Sequence, residues 1–437
     1  MQTQSNVVSS PCVQVPPYAT TPHRPLHVLT LTPFFPSLES ETSGCFVSEP
    51  LQALAPLGLE SSETAAGLDS ASLAASSPIA SSVIAVSPIH HHRPHSSPLA
   101  PAPWVRYPQI PGIAGLSSAG HFLYTRLLPV VSRLLRRHPI DLLHAHAALP
   151  CGHAASLLAR RLKIPYVVTV HGLDVFNNCL QDGALARSRR RASIAVYRDA
   201  AVVICISKKV QHILIEGMPV PFRSQVVYNG ADPHLFSPPY SPARSIGNPG
   251  PELLVVANLI PSKGQQLIFK AIHRIRSRFP DLRLRIIGDG PDRDRLHALA
   301  ADLGIARHIE FLGRQSRAAV ADAMRRCTVF VLPSRHEGLG CVYLEAMASA
   351  NPVIGCRGQG IEEIIVHGEN GWLIAPDGLE ELVAALSLLL ASPGLCARLG
   401  SAARRTILQG FTSFHQAARL ASIYREVKAL SRTVASR

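Results

Sequence analysis

The sequence predicts an α/β protein of two doubly wound domains that face each other across a cleft. Short runs rich in Val and Ile, such as YVVTV and VVICI, alternate with longer helical segments in both halves of the 437-residue chain. Strands of this kind are typical of parallel sheets that are buried on both faces. A segment of linker composition, SPPYSPARSIGNPGP at 237–251, separates the halves. The chain is also too long for a single core.

Composition shifts divide the chain further. Residues 1–24 are polar and contain several prolines, so we predict that they are disordered. The first domain spans 25–236, and its region 60–115 is rich in Ala, Ser and Pro, which predicts loop over part of its length. The second domain spans 252–412. A final helical segment, 413–437, is expected to pack back on the first domain.

The formal net charge of +14 at pH 7 indicates an anionic partner or a basic surface. Two groups of arginines stand out: Arg187, Arg189, Arg190 and Arg191, and Arg126, Arg133, Arg136 and Arg137. They are either solvated helix faces or a surface that rests on anionic lipid. Because Pro129 interrupts the second group, one continuous amphipathic helix is not predicted there. Aromatic residues make up only 5%, and no nucleic-acid-binding module is recognisable, so nucleic acid is not an expected partner.

Cysteine usage and hydropathy indicate the compartment. The nine cysteines are scattered without a CxxC pair, a pattern that favours reduced thiols in a cytoplasmic protein and argues against structural zinc. No run of 18 apolar residues is present, and the N-terminus lacks the features of a signal peptide. We therefore expect a cytoplasmic location, with peripheral contact to the inner face of the cell membrane as a further hypothesis.

The stretch EGLGCVYLEAMA contains a glycine-rich loop that leads into a helix. The preceding strand-like run TVFVLPS ends in a loop, and the helical sequence begins at about Cys341. Gly338 and Gly340 therefore lie just before a helix N-terminus, where unpaired N–H groups and the helix dipole favour a phosphate. Glycine also lets a ligand approach the backbone closely.

Two glutamates flank this junction. Glu337 lies in the loop and Glu345 lies about one turn into the helix, so both side chains could reach one cleft. Carboxylates accept hydrogen bonds from sugar hydroxyls, which predicts a diphosphate at the glycines and one sugar at each glutamate. The alternative is an ordinary loop charge and an exposed helix residue.

Further polar residues follow the ends of other predicted strands. Lys263 follows the first strand of the second domain and precedes a helix, a position that suits a phosphate, although it could be an ordinary solvated lysine. In the first domain, Gly44 follows the first strand, and His144, His146 and His171 end two others. A histidine at the tip of a parallel strand points toward the cleft. The sequence does not decide between His144 and His146, which lie on the same side of their strand.

With these residues in view, the chain resembles the family 4 glycosyltransferases of the GT-B fold over roughly residues 26–430. EGLGCVYLEAMA matches the E-x7-E signature of that family, and PVIG follows it at the expected place. Other motifs occur in family order: TVHGLDV, YNGAD, NLIPSKG, GDGP, IEFLG and GWLIAPD. The segments PFFPSLESETSGCFV and HAHAALPCGHAA are most similar to members of bacterial exopolysaccharide and teichuronic-acid biosynthesis.

The resemblance implies a retaining hexosyltransferase with two Rossmann-like domains, a donor domain at 252–412 and an acceptor domain at 25–236. The implied donor is a UDP- or GDP-linked sugar, the implied acceptor is a glycan or a lipid-linked sugar, and no metal or other cofactor is required. The resemblance also implies a role for each candidate residue. Glu345 binds the ribose, Glu337 binds the hexose, and Glu310–Gly313 lies beside the nucleobase. The diphosphate is bound by Lys263 with Gly44, Gly338, Leu339 and Gly340, and His146 and His171 lie on the hexose and acceptor side.

One departure from the family leaves alternatives open. Asn258 stands where many members carry an arginine, and asparagine brings no charge. Either Lys263 and a neighbouring arginine provide the positive field, or turnover is weak. The chain could then be a nucleotide-sugar-binding protein of low activity. A non-hydrolysing sugar-nucleotide epimerase of the same fold is a second alternative, although the E-x7-E motif favours a transferase.

Overall fold

The computed structural model describes residues 24–38, 42–54, 78–92, 94–98, 100–112, 115–179, 183–239 and 250–435. The predicted disorder at 1–24 falls on residues that, except for Arg24, lie outside this description. Most of the predicted linker, at 240–249, lies outside it as well, as do residues 60–77 of the Ala/Ser/Pro-rich region.

The first domain contains a seven-stranded parallel sheet with the order β3-β2-β1-β4-β5-β6-β7. Its strands are β1 (Leu26–Thr32), β2 (Ile79–Pro88), β3 (Trp104–Tyr107), β4 (Leu142–His146), β5 (Tyr166–Val170), β6 (Val202–Cys205) and β7 (Ser224–Val226). Its helices are α1 (Cys45–Leu54), α2 (Leu116–Leu135), α3 (His153–Leu162), α4 (Leu173–Cys179), α5 (Ala184–Asp199) and α6 (Lys208–Gly217). The central strands β4, β5 and β6 are buried at every residue, which explains their continuous apolar runs.

The second domain repeats the design with six parallel strands in the order β10-β9-β8-β11-β12-β13. Its strands are β8 (Glu252–Val256), β9 (Arg283–Ile287), β10 (Ile309–Gly313), β11 (Val329–Val331), β12 (Val353–Cys356) and β13 (Trp372–Ile374). Its helices are α7 (Gln265–Ile275), α8 (Arg293–Asp302), α9 (Arg317–Arg326), α10 (Cys341–Ala348), α11 (Leu379–Ala391) and α12 (Pro393–Gly410), and α13 (Ser413–Ala435) follows. The predicted fold of two doubly wound domains is confirmed.

Two local expectations were wrong or incomplete. The short strand β3 was not predicted, because WVRY is a brief run among prolines. Helix α2 continues through Pro129, although an interruption was expected. Leu127 and Val131 on either side of the proline are both fully buried, while Pro129 itself is exposed. Packing on the sheet therefore outweighs the one hydrogen bond that proline removes.

Helix α13 packs on the first domain. Leu420, Ala421 and Tyr424 share a hydrophobic cluster with Val28 of β1 and Leu51 of α1. The Lys428 Nζ lies 2.7 Å from the Asp141 carboxylate, just before β4. The end of the chain therefore completes the core of the domain where the chain begins.

Among the described helices, none alone has the length and apolar character to cross a membrane. Only α11 and α12 together, which are bent by 103°, meet that test by length and composition.

Candidate active site

The carboxyl ends of the two sheets meet at the loop before α10. Gly338 in this loop lies directly against the first domain, since a Cβ atom there would be 3.1 Å from Ile206 Cδ1 and 3.3 Å from Gly172 Cα. The Ser207 hydroxyl donates a hydrogen bond of 2.6 Å to the Gly338 carbonyl. Gly340 has a φ of +84°, a left-handed conformation that favours glycine. The two glycines thus serve close approach and a sharp entry into α10.

Glu337 and Lys263 form an ion pair in the cleft. The Lys263 Nζ lies 2.5 Å from Glu337 Oε1, and the two side chains are 17% and 13% exposed. Lys263 belongs to a short 3-10 turn, Pro261–Lys263, just before α7. The Glu337 backbone N–H donates to the Gln359 side-chain oxygen at 3.0 Å. The structure therefore brings together the two residues predicted for the diphosphate and the hexose.

Glu345 lies behind this pair and is 3% exposed. Its Oε1 accepts a hydrogen bond of 2.5 Å from Arg317 of α9, whereas its buried Oε2 has no hydrogen-bond partner among the residues that the structure describes. Arg317 also pairs with Glu49 of α1 in the other domain, so one guanidinium connects the domains. Burial raises the pKa of Glu49 to about 7, against the opposing charge of Arg317. A buried carboxylate oxygen without a partner is a place where a ligand hydroxyl can donate.

A second connection between the domains lies at the start of α6. Glu363 accepts hydrogen bonds from the backbone N–H groups of Lys208 and Lys209, each at 2.8 Å. The Tyr228 hydroxyl donates to the same carboxylate at 2.8 Å. A carboxylate at a helix N-terminus is electrostatically favourable. We call this arrangement of Glu363, the two N–H groups and Tyr228 the closure clamp, because it joins the domains beside the Gly338 loop.

The predicted histidines form a chain in which His144 and His146 are buried and His171 is half-buried. His146 Nδ1 lies 2.9 Å from His171 Nε2, and their rings stack with centroids 5.1 Å apart. His144 instead hydrogen-bonds Tyr424 of α13 and Thr169 of β5, both at 2.7 Å. Burial lowers the pKa of His144 and of His171 to about 3 and that of His146 well below its ordinary value. All three rings are therefore neutral at pH 7, and His146 is the one that contacts His171.

A small cavity adjoins this chain, with room for about one water molecule. Its polar lining includes the three histidines, Asn229 and Tyr424. Within the described part of the chain, the buried His146 Nε2 has no hydrogen-bond partner. This side of the cleft therefore offers hydrogen bonds without charge.

The two other predicted residues differ in exposure, since Gly44 is buried and Asn258 is exposed. Gly44, with a φ of +71°, precedes α1, and a Cβ there would lie 2.3 Å from the Phe34 backbone. Burial raises the pKa of the adjacent Cys45 thiol to about 12, and the charges of Arg317 and Glu345 also act on that thiol, so the start of α1 lies near Glu345. Asn258 follows β8 and its side chain is exposed.

An arginine does lie near Asn258 and Lys263. The Arg335 guanidinium donates to the Pro261 carbonyl at 3.3 Å, and the Arg335 backbone N–H donates to Ser262 at 2.8 Å. Arg335 thus borders the turn that carries Lys263.

Sequence reasoning missed several residues that the fold brings to the cleft. Arg317 and Glu49 have no motif around them, and their contact joins residues 268 positions apart. Lys209 and Gln359, which hydrogen-bond each other across the cleft, were also missed. Lys209 follows the end of β6, and that position at the carboxyl edge of a parallel sheet was the available signal.

Both halves of the chain match models of glycosyltransferase families. The one described as Glycosyltransferase Family 4 matches residues 79–235, and the one described as Glycosyl transferases group 1 matches residues 240–406. An uncharacterised glycosyltransferase of Methanocaldococcus jannaschii is 33% identical over 256 residues, covering 58% of this chain and 67% of that protein. The chain belongs to the family 4 glycosyltransferases.

A second relative carries a more detailed name. It is a GDP-mannose-dependent alpha-(1-6)-phosphatidylinositol monomannoside mannosyltransferase of Mycolicibacterium smegmatis, 29% identical over 305 residues, with 67% of this chain and 78% of the relative covered.

Solved structures show the same fold. Sucrose-phosphate synthase from Thermosynechococcus elongatus superposes with a TM-score of 0.72 at 18% identity, covering 93% of this chain and 100% of that chain. Anabaena HepE in complex with UDP-glucose superposes with a TM-score of 0.67 at 18% identity, covering 92% of this chain and 100% of that chain. The predicted GT-B fold is confirmed.

Proposed function

We propose that this glycosyltransferase moves a hexose from a UDP- or GDP-linked sugar to a glycan or lipid-linked sugar acceptor, with retention of anomeric configuration. The observation that carries the proposal is the grouping of the Lys263–Glu337 ion pair with the unpartnered Glu345 oxygen around one glycine loop. A cation, two carboxylates and a helix N-terminus are the groups that a sugar diphosphate needs.

Each group has one part of the donor to bind. The unpartnered Glu345 Oε2 accepts a hydrogen bond from a ribose hydroxyl, while Arg317 holds the other oxygen. Glu337 accepts from the hexose hydroxyls. Lys263 and the N–H groups of the Gly338–Gly340 loop contact the diphosphate, together with Gly44, which packs against the Phe34 backbone. Glu310–Gly313, which lies within strand β10, borders the nucleobase.

The names of similar proteins support a nucleotide sugar without choosing the base. The Mycolicibacterium relative is described as dependent on GDP-mannose, and HepE was solved with UDP and with UDP-glucose. Both are nucleotide diphosphate sugars, and the chemistry at Lys263, Glu337 and Glu345 suits either.

The chemistry follows from the charges around the leaving group. The bond between the hexose C1 and the diphosphate oxygen breaks, and the acceptor oxygen bonds to C1 on the same face. The acceptor proton passes to the leaving phosphate, so no carboxylate acts as a nucleophile. Lys263 and the loop N–H groups stabilise the developing negative charge, and the proposal therefore requires no metal. The neutral His146 and His171 orient hydroxyls on the hexose and acceptor side.

A lipid-linked acceptor fits the surface of the first domain. Helix α2 and the residues after it expose a basic face that includes one aromatic ring: Phe122, Arg126, Arg133, Arg136 and Arg137. The other predicted group does not form one surface, because Arg189 is buried and Arg190 donates to the Cys179 carbonyl at 3.1 Å. We propose the α2 face as the contact to anionic lipid at the cytoplasmic side of a membrane.

Vesicle binding tests this surface. Changing Arg126, Arg133, Arg136 and Arg137 to glutamine should abolish sedimentation with vesicles that contain anionic lipid. The control changes Arg187 and Arg191, which are also exposed, and should retain binding. Equal sedimentation of both variants would refute the assignment to α2.

Donor binding tests the function itself. UDP-, GDP- and ADP-sugars are screened by thermal shift, first with EDTA and then with Mg²⁺. A ligand at about a hundred times its dissociation constant adds roughly 2.7 kcal/mol of stability. We expect a shift with a UDP- or GDP-sugar in EDTA. No shift with any donor, with or without Mg²⁺, would contradict the proposal.

The exposed Asn258 motivates a second candidate, a nucleotide-sugar-binding protein of low activity. Donor consumption and product analysis separate the candidates. Hexose release or transfer from the donor indicates a transferase, binding without turnover indicates the binding protein, and an epimerised nucleotide sugar indicates an epimerase.

A further inference from the structure

A second lysine reaches the donor loop from the opposite domain. Lys209 is the second residue of α6, and its Nζ donates to the Gln359 side-chain oxygen at 2.6 Å. The same oxygen accepts the Glu337 backbone N–H at 3.0 Å, and Lys263 contacts the Glu337 carboxylate at 2.5 Å. Two ammonium groups, one from each domain, therefore lie on either side of Glu337.

Lys209 is held in place and is not a solvated surface lysine. Its side chain is half-buried, and its Nζ lies 5.6 Å from the centroid of the Phe176 ring. Its backbone N–H is fixed by Glu363 in the closure clamp. Burial lowers the pKa of the Lys209 ammonium, while the negative charge of Glu337 acts in the opposite direction. Both observations place this cation inside the cleft.

The charges in the cleft leave Lys209 available for an anion. Lys263 is paired with Glu337, and Arg317 is shared between Glu345 and Glu49. The Lys209 ammonium instead donates to a neutral amide. A diphosphate brings more negative charge than the Lys263–Glu337 pair can offset, and Asn258 adds none.

We propose that Lys209 binds the β-phosphate of the donor and provides the positive charge that Asn258 lacks. The proposal rests on the function proposed above. The β-phosphate is favoured because it carries the hexose, and Glu337 is the residue beside Lys209. Glu363 is a positioning residue, since the closure clamp holds the first residues of α6 at the donor loop.

Calorimetry tests the proposal by measuring the binding of UDP, UMP and uridine. If GDP-sugars are the donors, GDP, GMP and guanosine are used instead. Lys209→Met should weaken the nucleoside diphosphate about tenfold or more, the effect of one charge-assisted hydrogen bond. The nucleoside and the monophosphate should bind as they do to the wild type, and Lys209→Arg should retain most of the affinity. Lys208→Met is the matched control, because its side chain is exposed and the backbone N–H is kept.

Glu363→Ala gives an independent readout. If Glu363 positions Lys209, this variant should lower the ratio of diphosphate to monophosphate affinity in the same direction as Lys209→Met. The double variant should be no worse than Lys209→Met alone.

Three outcomes would overturn the inference. Unchanged diphosphate affinity in Lys209→Met would show that the lysine does not contact the phosphate. Equal losses of affinity for the diphosphate, the monophosphate and the nucleoside would show that Lys209 only stabilises the contact between the domains. Wild-type protein that binds none of the nucleotides would refute the proposed function and this inference together. Nucleotide binding by the wild type with no effect of Lys209→Met refutes only the inference.

Discussion

One wall of the cleft carries charged groups and the other carries neutral polar groups. The second-domain wall carries paired charges, Lys263 with Glu337 and Arg317 with Glu345. The first-domain wall carries a chain of neutral rings, in which burial lowers the pKa of His144 and His171 to about 3. Charged groups suit a diphosphate and its ribose, whereas neutral groups can orient hydroxyls without attracting a phosphate. In the proposed function the charged wall therefore holds the ribose and, together with Lys209 of the first domain, the diphosphate, and the neutral rings lie on the acceptor side.

The walls also differ in how they are built. The two glutamates of the charged wall lie in the loop before α10 and in α10 itself, and their cationic partners come from the turn before α7 and from α9. The neutral wall draws on β4, β5 and the distant helix α13, whose Tyr424 hydrogen-bonds His144 at 2.7 Å. Changes at the Lys263–Glu337 pair should therefore affect binding and turnover first, whereas changes at the buried Arg317–Glu345 pair and in the neutral wall should affect stability.

Removing the cation of the charged wall should have the largest effect. Lys263→Met should lower kcat by about a hundredfold or more, because the leaving diphosphate loses a preorganised positive group. The rate of donor consumption measures the change. Lys270→Met, an exposed lysine on α7, is the control and should act as the wild type. A Lys263→Met enzyme that retains the wild-type rate would place the diphosphate elsewhere.

Breaking the buried pair should reduce stability. Arg317→Met leaves Glu345, which is 3% exposed, without its cationic partner. The free energy of unfolding should fall by about 3 kcal/mol, as for a buried charge whose partner is removed. Chemical denaturation measures this value, with the exposed Arg314 changed to Met as the control. Equal stability of the two variants would mean that Glu345 does not depend on Arg317.

The neutral wall should make the protein sensitive to acid. The pKa of His144 is about 3 in the folded protein and 6.5 in the unfolded chain, so the unfolded state takes up the proton first as pH falls. The contribution of His144 is fully present above pH 6.5 and decreases below it, by about 2 kcal/mol between pH 6.5 and 5.

Denaturation of His144→Phe at both pH values checks this contribution. The loss of stability on acidification should be about 2 kcal/mol smaller in the variant than in the wild type. Glu49, with a pKa raised to about 7, contributes with the opposite sign in both proteins and cancels in the difference, which reports His144 and its effect on the pKa of His146. An identical pH dependence in both proteins would show that His144 is protonated equally in the folded and unfolded states.

Local patterns predicted most of the fold and part of the site. Buried parallel strands such as β5 are visible as apolar runs, and the loop before α10 is visible from Gly338 and Gly340. These features depend on neighbours in sequence. The continuity of α2 through Pro129 could not be predicted, because it depends on packing against the sheet.

Long-range contacts were beyond the reach of the sequence. The choice of His146 over His144 as the partner of His171 depends on Tyr424, which is 280 residues from His144. The clamp at Glu363 and the Arg317–Glu49 pair join the two domains in the same way. Their local sequences carry no motif, because each residue has its role only through a partner in the other domain that is distant in sequence.

The division of roles between the two glutamates tests the account most directly. Calorimetry compares the free nucleoside diphosphate and the sugar nucleotide on the wild type, Glu345→Ala and Glu337→Ala. The account predicts that Glu345→Ala weakens both ligands alike, because both contain the ribose. Glu337→Ala should leave the free nucleotide unaffected and lose the added affinity of the sugar. Equal losses for both ligands in both variants would contradict it.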